Sequence, residues 1–201
     1  MRLLVALMLV MVGVSTDVAA QSLTIPELVE RTRPEPVYKS RIRELLPPSF
    51  DTLVRDADLV VHGRANPVRT YLSPDQQTVY TEYEITPMSI ILHRGDPPTV
   101  AKPGVMPIVV TVWGGKIVVN GVDVVVQDLN VRPLEPGDEV VLFLEKAATP
   151  DRYRIVGEIG GLFGVADQRV QSLLGRGYYK DVDGRSVADL ARAVNAVNAP
   201  R

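Results

Sequence analysis

Residues 78–93 read TVYTEYEITPMSIILH, and the alternation within them decides the fold class. Val79, Tyr83 and Ile85 are apolar at odd positions, while Tyr80, Glu82 and Glu84 fall between them. That is period two, the pattern of a strand with one buried and one outward face. After Pro87 the apolar set moves to even positions, at Met88, Ile90 and Leu92. A strand changes parity by gaining an extra residue, so the pattern predicts a bulge or sharp bend at Thr86-Pro87, where proline is tolerated because the ladder is already broken. Long strands bent by bulges are the device that closes a small barrel.

Working outward, the same strand signals recur. Leu59–Ala65 is a β-branched run ended by Asn66-Pro67, and residues 72–77 form a polar turn. Ile108–Trp113 is a strand ended by Gly114-Gly115, and Asn120-Gly121 between 116–119 and 122–127 predicts a two-residue hairpin turn. Residues 139–146 and 153–158 are further strands, and 163–166 is a short one after Gly160-Gly161. Ser49 is placed to cap a short helix through Arg55. Near the C-terminus Val187, Leu190, Ala191, Val194 and Val197 share one helical stripe, with Ser186 as its cap and Asp189 three residues on. The reading is seven or eight strands and one long terminal helix. With no helices alternating between the strands, a parallel α/β sheet is excluded. The expected fold is mainly β: a small antiparallel barrel with a C-terminal α-helix.

The N-terminal residues carry a different message. Met1-Arg2 is followed by an uncharged apolar run from Leu3 to Val14, and Val18 and Ala20 sit three and one residues before a plausible cleavage point at Gln21. Residues 1–20 are therefore read as a cleaved signal peptide, too short before Asp17 for a membrane span. Residues 21–48, with Pro26, Pro34, Pro36, Pro47 and Pro48, are read as a proline-rich arm in which Ile25–Thr32 makes one or two helical turns. Its Arg31, Arg33, Lys39, Arg41 and Arg43 make it locally basic, either as a solvated lead-in or as a contact for an anionic envelope surface. Residues 49–201 are read as one domain. The mature chain holds no transmembrane span, and the expected location is periplasmic or secreted.

Composition excludes several classes of function. The 201 residues hold no cysteine, which removes disulfides, thiolate metal sites, lipoprotein acylation and cysteine nucleophiles. A net charge of −2 gives no electrostatic reason for a nucleic-acid partner. No serine sits in a G-x-S-x-G elbow, and His62 and His93, 31 residues apart, lack zinc-site spacing. Both histidines are read as structural or surface residues. Gly114-Gly115-Lys116 is not a phosphate loop, and Asp181–Gly184 lacks the ligand positions of a calcium loop. No metal or cofactor is expected.

Three stretches carry a resemblance. Ala57–Ala65 (ADLVVHGRA), Thr81–Ile85 with its continuation to Asp96, and Pro136–Leu144 (PGDEVVLFL) resemble strands of bacterial secreted domains related to the netrin-like, tissue-inhibitor-of-metalloproteinase superfamily. The similarity covers about residues 50–166. It implies an OB-like five-stranded barrel with extra strands and a flanking helix. Members that inhibit metalloproteinases present a disulfide-linked N-terminal cysteine to the catalytic zinc. This chain has no cysteine, so neither that mechanism nor any functional residue carries over.

The expected function is an exported, non-enzymatic module that binds a protein or envelope component. Its candidate face is Tyr80, Glu82, Glu84 and Trp113, the last being the single tryptophan. The alternative is a small carboxylate-dependent hydrolase of envelope polymers, with Glu82 or Glu84 and another acid, which requires a cleft around those acids. A small-ligand carrier is a third reading and requires an apolar cavity in the barrel.

Overall fold

The computed structural model describes residues 23–41, 48–94, 108–129, 131–147, 153–174 and 179–199. The leader expected at residues 1–20 and the basic Arg43 lie outside the described residues. In chain order the elements are α1 (Ile25–Thr32), β1 (Val37–Arg41), α2 (Phe50–Asp56), β2 (Leu59–Leu72), β3 (Val79–His93), β4 (Ile108–Trp113), β5 (Gly115–Val119) and β6 (Val122–Asp128). There follow β7 (Asp138–Lys146), β8 (Tyr153–Ile155), a 3-10 turn (Glu158–Gly161), β9 (Leu162–Ala166), β10 (Arg169–Ser172) and α3 (Val187–Asn198). The protein is mainly β, with antiparallel sheets and a C-terminal helix.

The ladder between β2 and β3 is the spine. β2 runs through Pro67 to Leu72 instead of stopping at Asn66-Pro67. The reason is positional: the β7 ladder ends at Ala65, so Pro67 lies where β2 has β3 alone as a neighbour and a missing N–H costs least. On β3 the register shifts twice. Pro87 faces Gly63 and Ser89 faces His62, leaving Met88 extra; Ile90 faces Val61 and Leu92 faces Val60, leaving Ile91 extra. The bulge thus falls one residue beyond Thr86-Pro87. A Cβ on Gly63 would stand 2.6 Å from the Thr86 carbonyl oxygen, so the strands approach closely there and the surplus residue is pushed past the proline. In consequence Met88, expected inward, is 46% exposed.

The expected closed barrel is not formed by the described ladders. The larger sheet has the order β10-β9-β7-β2-β3-β4, with β8 also on β7, and no ladder joins β4 back to the other side. Curling brings β8 beside β4 without pairing. The chain leaves the sheet where closure would begin: Gly114 (φ 99°) and Gly115 (φ 140°) swing it away after Trp113. β5 and β6 then form a second sheet with β1, in the order β1-β6-β5, and β1 runs parallel to β6. Asn120 (φ 50°) and Gly121 (φ 79°) make the expected hairpin turn between them, both central residues being left-handed as a type I′ turn requires.

Burial follows the strand alternation. One face of the large sheet (Val60, Val141, Phe143, Phe163) packs under α2 and α3 through Leu53, Val54, Leu190 and Val194. Phe143 sits edge-on to both Phe50 and Phe163, at 6.1 and 5.7 Å between centroids. The opposite face (Leu59, Val61, Tyr83, Ile85, Val110, Leu142) fills the inside of the curl with Ile155 and Leu162. Ser49 and Ser186 cap α2 and α3 through bonds from the Thr52 and Asp189 amides.

Residues 25–41 are not a solvated arm. Ile25 and Val29 of α1 are fully buried with Val124 and Val126 in a third cluster. The helix starts with a full capping box between Thr24 and Glu27, and Pro26 occupies its first turn, where a missing N–H is harmless. The Ile25 amide bonds to the Gln76 carbonyl at 2.8 Å, and Arg33 donates to the Asn120 carbonyl at 2.7 Å. Of the basic residues expected to face outward, Arg33 therefore clamps the hairpin tip and Lys39 bonds the Gln77 carbonyl.

Candidate functional site

Cross-strand register assembles an aromatic row. Tyr71 on β2 faces Tyr80 on β3, and Tyr80 faces Trp113 on β4. Residues directly opposite on antiparallel strands share a sheet face, so three aromatic side chains lie side by side. The Tyr71 and Tyr80 rings are 6.1 Å apart, and the Arg69 guanidinium stands 5.2 Å from the Tyr71 ring centre. Tyr80 and Trp113, proposed from sequence as parts of one face, are thus neighbours in space. Tyr71 was missed because it follows Pro67, where the β2 strand was expected to have ended.

Two clefts open beside this row and share Tyr80 and Trp113 as a wall, while Tyr71 lines neither. The larger, of about 950 Å³, continues the interior of the curl outward between β4, β8 and the smaller sheet. Val112, Leu134, Tyr153, Ile155, Ile159 and Leu162 make its lining mostly apolar. It marks the seam where β4 and β8 approach without pairing. Tyr83 lies at its inner end, with its hydroxyl donating to the Leu134 carbonyl at 3.3 Å. Burial, reinforced by the Glu135 and Asp138 charges, raises the Tyr83 phenol above its ordinary range, so it remains neutral. The smaller cleft, of about 580 Å³, is lined by Lys39, Ser40, Gln77 and Thr78 together with Tyr80, Trp113 and Glu158. Tyr80, Trp113 and Glu158 line both.

The two acids of the candidate face do not belong to these clefts. Glu82, read as outward, is 5% exposed. Its carboxylate accepts two bonds from Arg69, at 2.7 and 2.8 Å, across the β2–β3 ladder. That bidentate bond, with the attraction between the charges, raises the guanidinium above its already high ordinary range. The parity of β3 was read correctly, but Val68, the extra residue on β2, sets Arg69 opposite Glu82 and turns a solvent-facing acid into half of an ion pair. Glu84 is half-buried opposite Val109, toward the far end of β4 from Trp113.

His62 is buried as a structural residue would be, with Nε2 2.6 Å from Glu139 Oε1. Ser89 Oγ lies 3.5 Å from its Nδ1. None of the three lines either cleft. Among the described residues no helix is long and apolar enough to cross a membrane. No family model and no curated protein matches the chain.

Proposed function

We propose that this is an exported, non-enzymatic module that binds a protein or envelope component, and that it does so in the apolar cleft beside Tyr80 and Trp113. The observation that carries the reading is the cleft itself: about 950 Å³ of mostly apolar space continuous with the core of the large sheet. Concave apolar sites of this size, with a few polar groups at the mouth, are where proteins take up ligands. The sheet order supports an OB-like barrel left open at the β4–β8 seam, and residues 50–166 with their netrin-like resemblance span the strands that wrap it. The hydrolase alternative needs a cleft around Glu82 or Glu84; neither residue lines either of these two clefts, and Arg69 neutralises Glu82.

The test uses a neutral naphthylamine dye that fluoresces in apolar surroundings, titrated into the whole chain and into Val112→Trp, which fills the cleft. Saturable uptake by the parent, lost in the folded variant, is expected. Absence of uptake, or uptake unchanged by the filling substitution, would remove the cleft from the proposal.

A further inference from the structure

The two clefts differ in chemistry and meet at one wall. The larger has a mostly apolar surface, with charged side chains such as Lys116, Arg132 and Glu145 among its lining. The smaller presents an ammonium, a hydroxyl, an amide and a carboxylate from Lys39, Ser40, Gln77 and Glu158. The side chains at the boundary, Tyr80 and Trp113, have an apolar ring with a polar tip, the composition found where an apolar region meets a wet one. A ligand spanning both clefts needs the same division.

We infer that the ligand is an amphiphile with one alkyl chain and an uncharged polyhydroxyl head, the chain lying in the apolar cleft and the head in the polar one against Tyr80 and Trp113. This rests on the binding reading above and specifies its ligand class. The head is uncharged because the polar cleft sets one cation, Lys39, against one carboxylate, Glu158. It is polyhydroxyl because Ser40 and Gln77 supply donors and acceptors together, and sugar hydroxyls are both at once. Tyr80 and Trp113 offer ring faces to the C–H side of a sugar, and their cross-strand pairing fixes them before the ligand arrives.

Trp113 is the only tryptophan, so its fluorescence reports on this wall alone. The full chain is titrated with dodecyl maltoside, dodecanol and maltose, each alkyl probe below its aggregation threshold. The maltoside is expected to bind about tenfold more tightly than dodecanol, the gain of one or two net hydrogen bonds. Shortening its chain by one methylene should weaken it about fourfold. Lys39→Met should narrow the preference for the maltoside to about twofold while leaving dodecanol affinity in place. Ser40→Ala, at an exposed position, should narrow it in the same direction. Equal binding of maltoside and dodecanol, or a preference that both variants leave intact, overturns the amphiphile while the apolar binding module stands. Maltose binding as tightly as the maltoside overturns it as well. Binding of none of the three overturns both readings.

Discussion

The linkage between the two sheets can be tested at Gly115, where two costs of a side chain coincide. Its φ of 140° is in the region that disfavours L-residues, and a Cβ there would stand 2.1 Å from Thr81 Oγ1. Thr81 cannot step aside freely, because its hydroxyl donates to the Gly114 carbonyl at 2.7 Å and the residue is buried. Gly115→Ala therefore combines backbone strain of about 1–2 kcal/mol, overpacking of about 1–3 kcal/mol and loss of a buried hydrogen bond of about 1 kcal/mol. The expected total is about 4 kcal/mol, a large share of the roughly 5–15 kcal/mol that holds a domain folded. Gly121→Ala is the control: φ is 79°, but nothing lies within 4 Å of its Cβ, so strain alone applies and the cost is about 1–2 kcal/mol.

The decisive comparison is a double-mutant cycle. In a Thr81→Ala background the nearest atom to a Cβ at position 115 becomes Thr70 Cγ2 at 3.0 Å, at the end of a side chain that can yield. Gly115→Ala should then cost about 2 kcal/mol less than in the parent, a coupling well above the scatter of about 0.5 kcal/mol seen between independent sites. Urea unfolding followed by circular dichroism, with slopes compared between variants, gives each value. Additive effects, or a Gly115→Ala no more costly than Gly121→Ala, would refute the claim that contact with Thr81 demands glycine here.

Three further outcomes are expected. Thr78→Val should raise the urea midpoint by about 1 kcal/mol of stability, because the buried Thr78 hydroxyl has no partner among the described residues and a methyl group fills the same space. Ser186→Ala should cost about 1 kcal/mol by removing the oxygen that accepts the Asp189 amide at the start of α3. Burial pushes the Tyr179 phenol up to about 12, and its hydroxyl too has no partner among the described residues. The unfolded chain then loses that proton near pH 10 while the folded chain keeps it, so stability is full below about pH 10 and falls as pH rises toward 12. Tyr179→Phe should flatten that alkaline decline in unfolding curves measured between about pH 9 and 12, leaving the shares from Tyr83 and from Lys116, which its bond to Asp123 also raises.

Local patterns carried the fold class, and long-range pairing carried the rest. The hairpin at Asn120-Gly121, the caps at Ser49 and Ser186 and the stripe Leu190–Val194 were legible because each is decided within about four residues. The bulge on β3 was legible as a parity change, but it lies one residue further on, and the second shift at Ile91, which sends Ile90 and Leu92 to different clusters, is set by pairing with a partner strand some two dozen residues away. The N-terminal segment misled for a physical reason. The helical turns at Ile25–Thr32 were legible locally, but their burial was not, because the apolar pair Ile25 and Val29 needs β6, about a hundred residues on, before it has a surface to bury against.

The candidate site shows the same division more sharply. Tyr80 and Trp113 could be named individually, and parity placed each on a face, but nothing local says that they stand opposite one another or that Tyr71 completes the row. Glu82 and Glu84 share parity with Tyr80 and still part company from it, because a single surplus residue, Val68, decides that Arg69 meets Glu82. A one-residue bulge on the neighbouring strand therefore converts a presumed acidic surface into a neutral pair. The site's chemistry then rests with the aromatic row and the clefts on either side of it. The clefts, in turn, follow from Gly114 and Gly115: had the chain continued straight after Trp113, β4 could have gone on to pair and close the curl. The same two glycines that leave the large sheet unclosed line the larger cleft, and substituting either one tests fold and binding together.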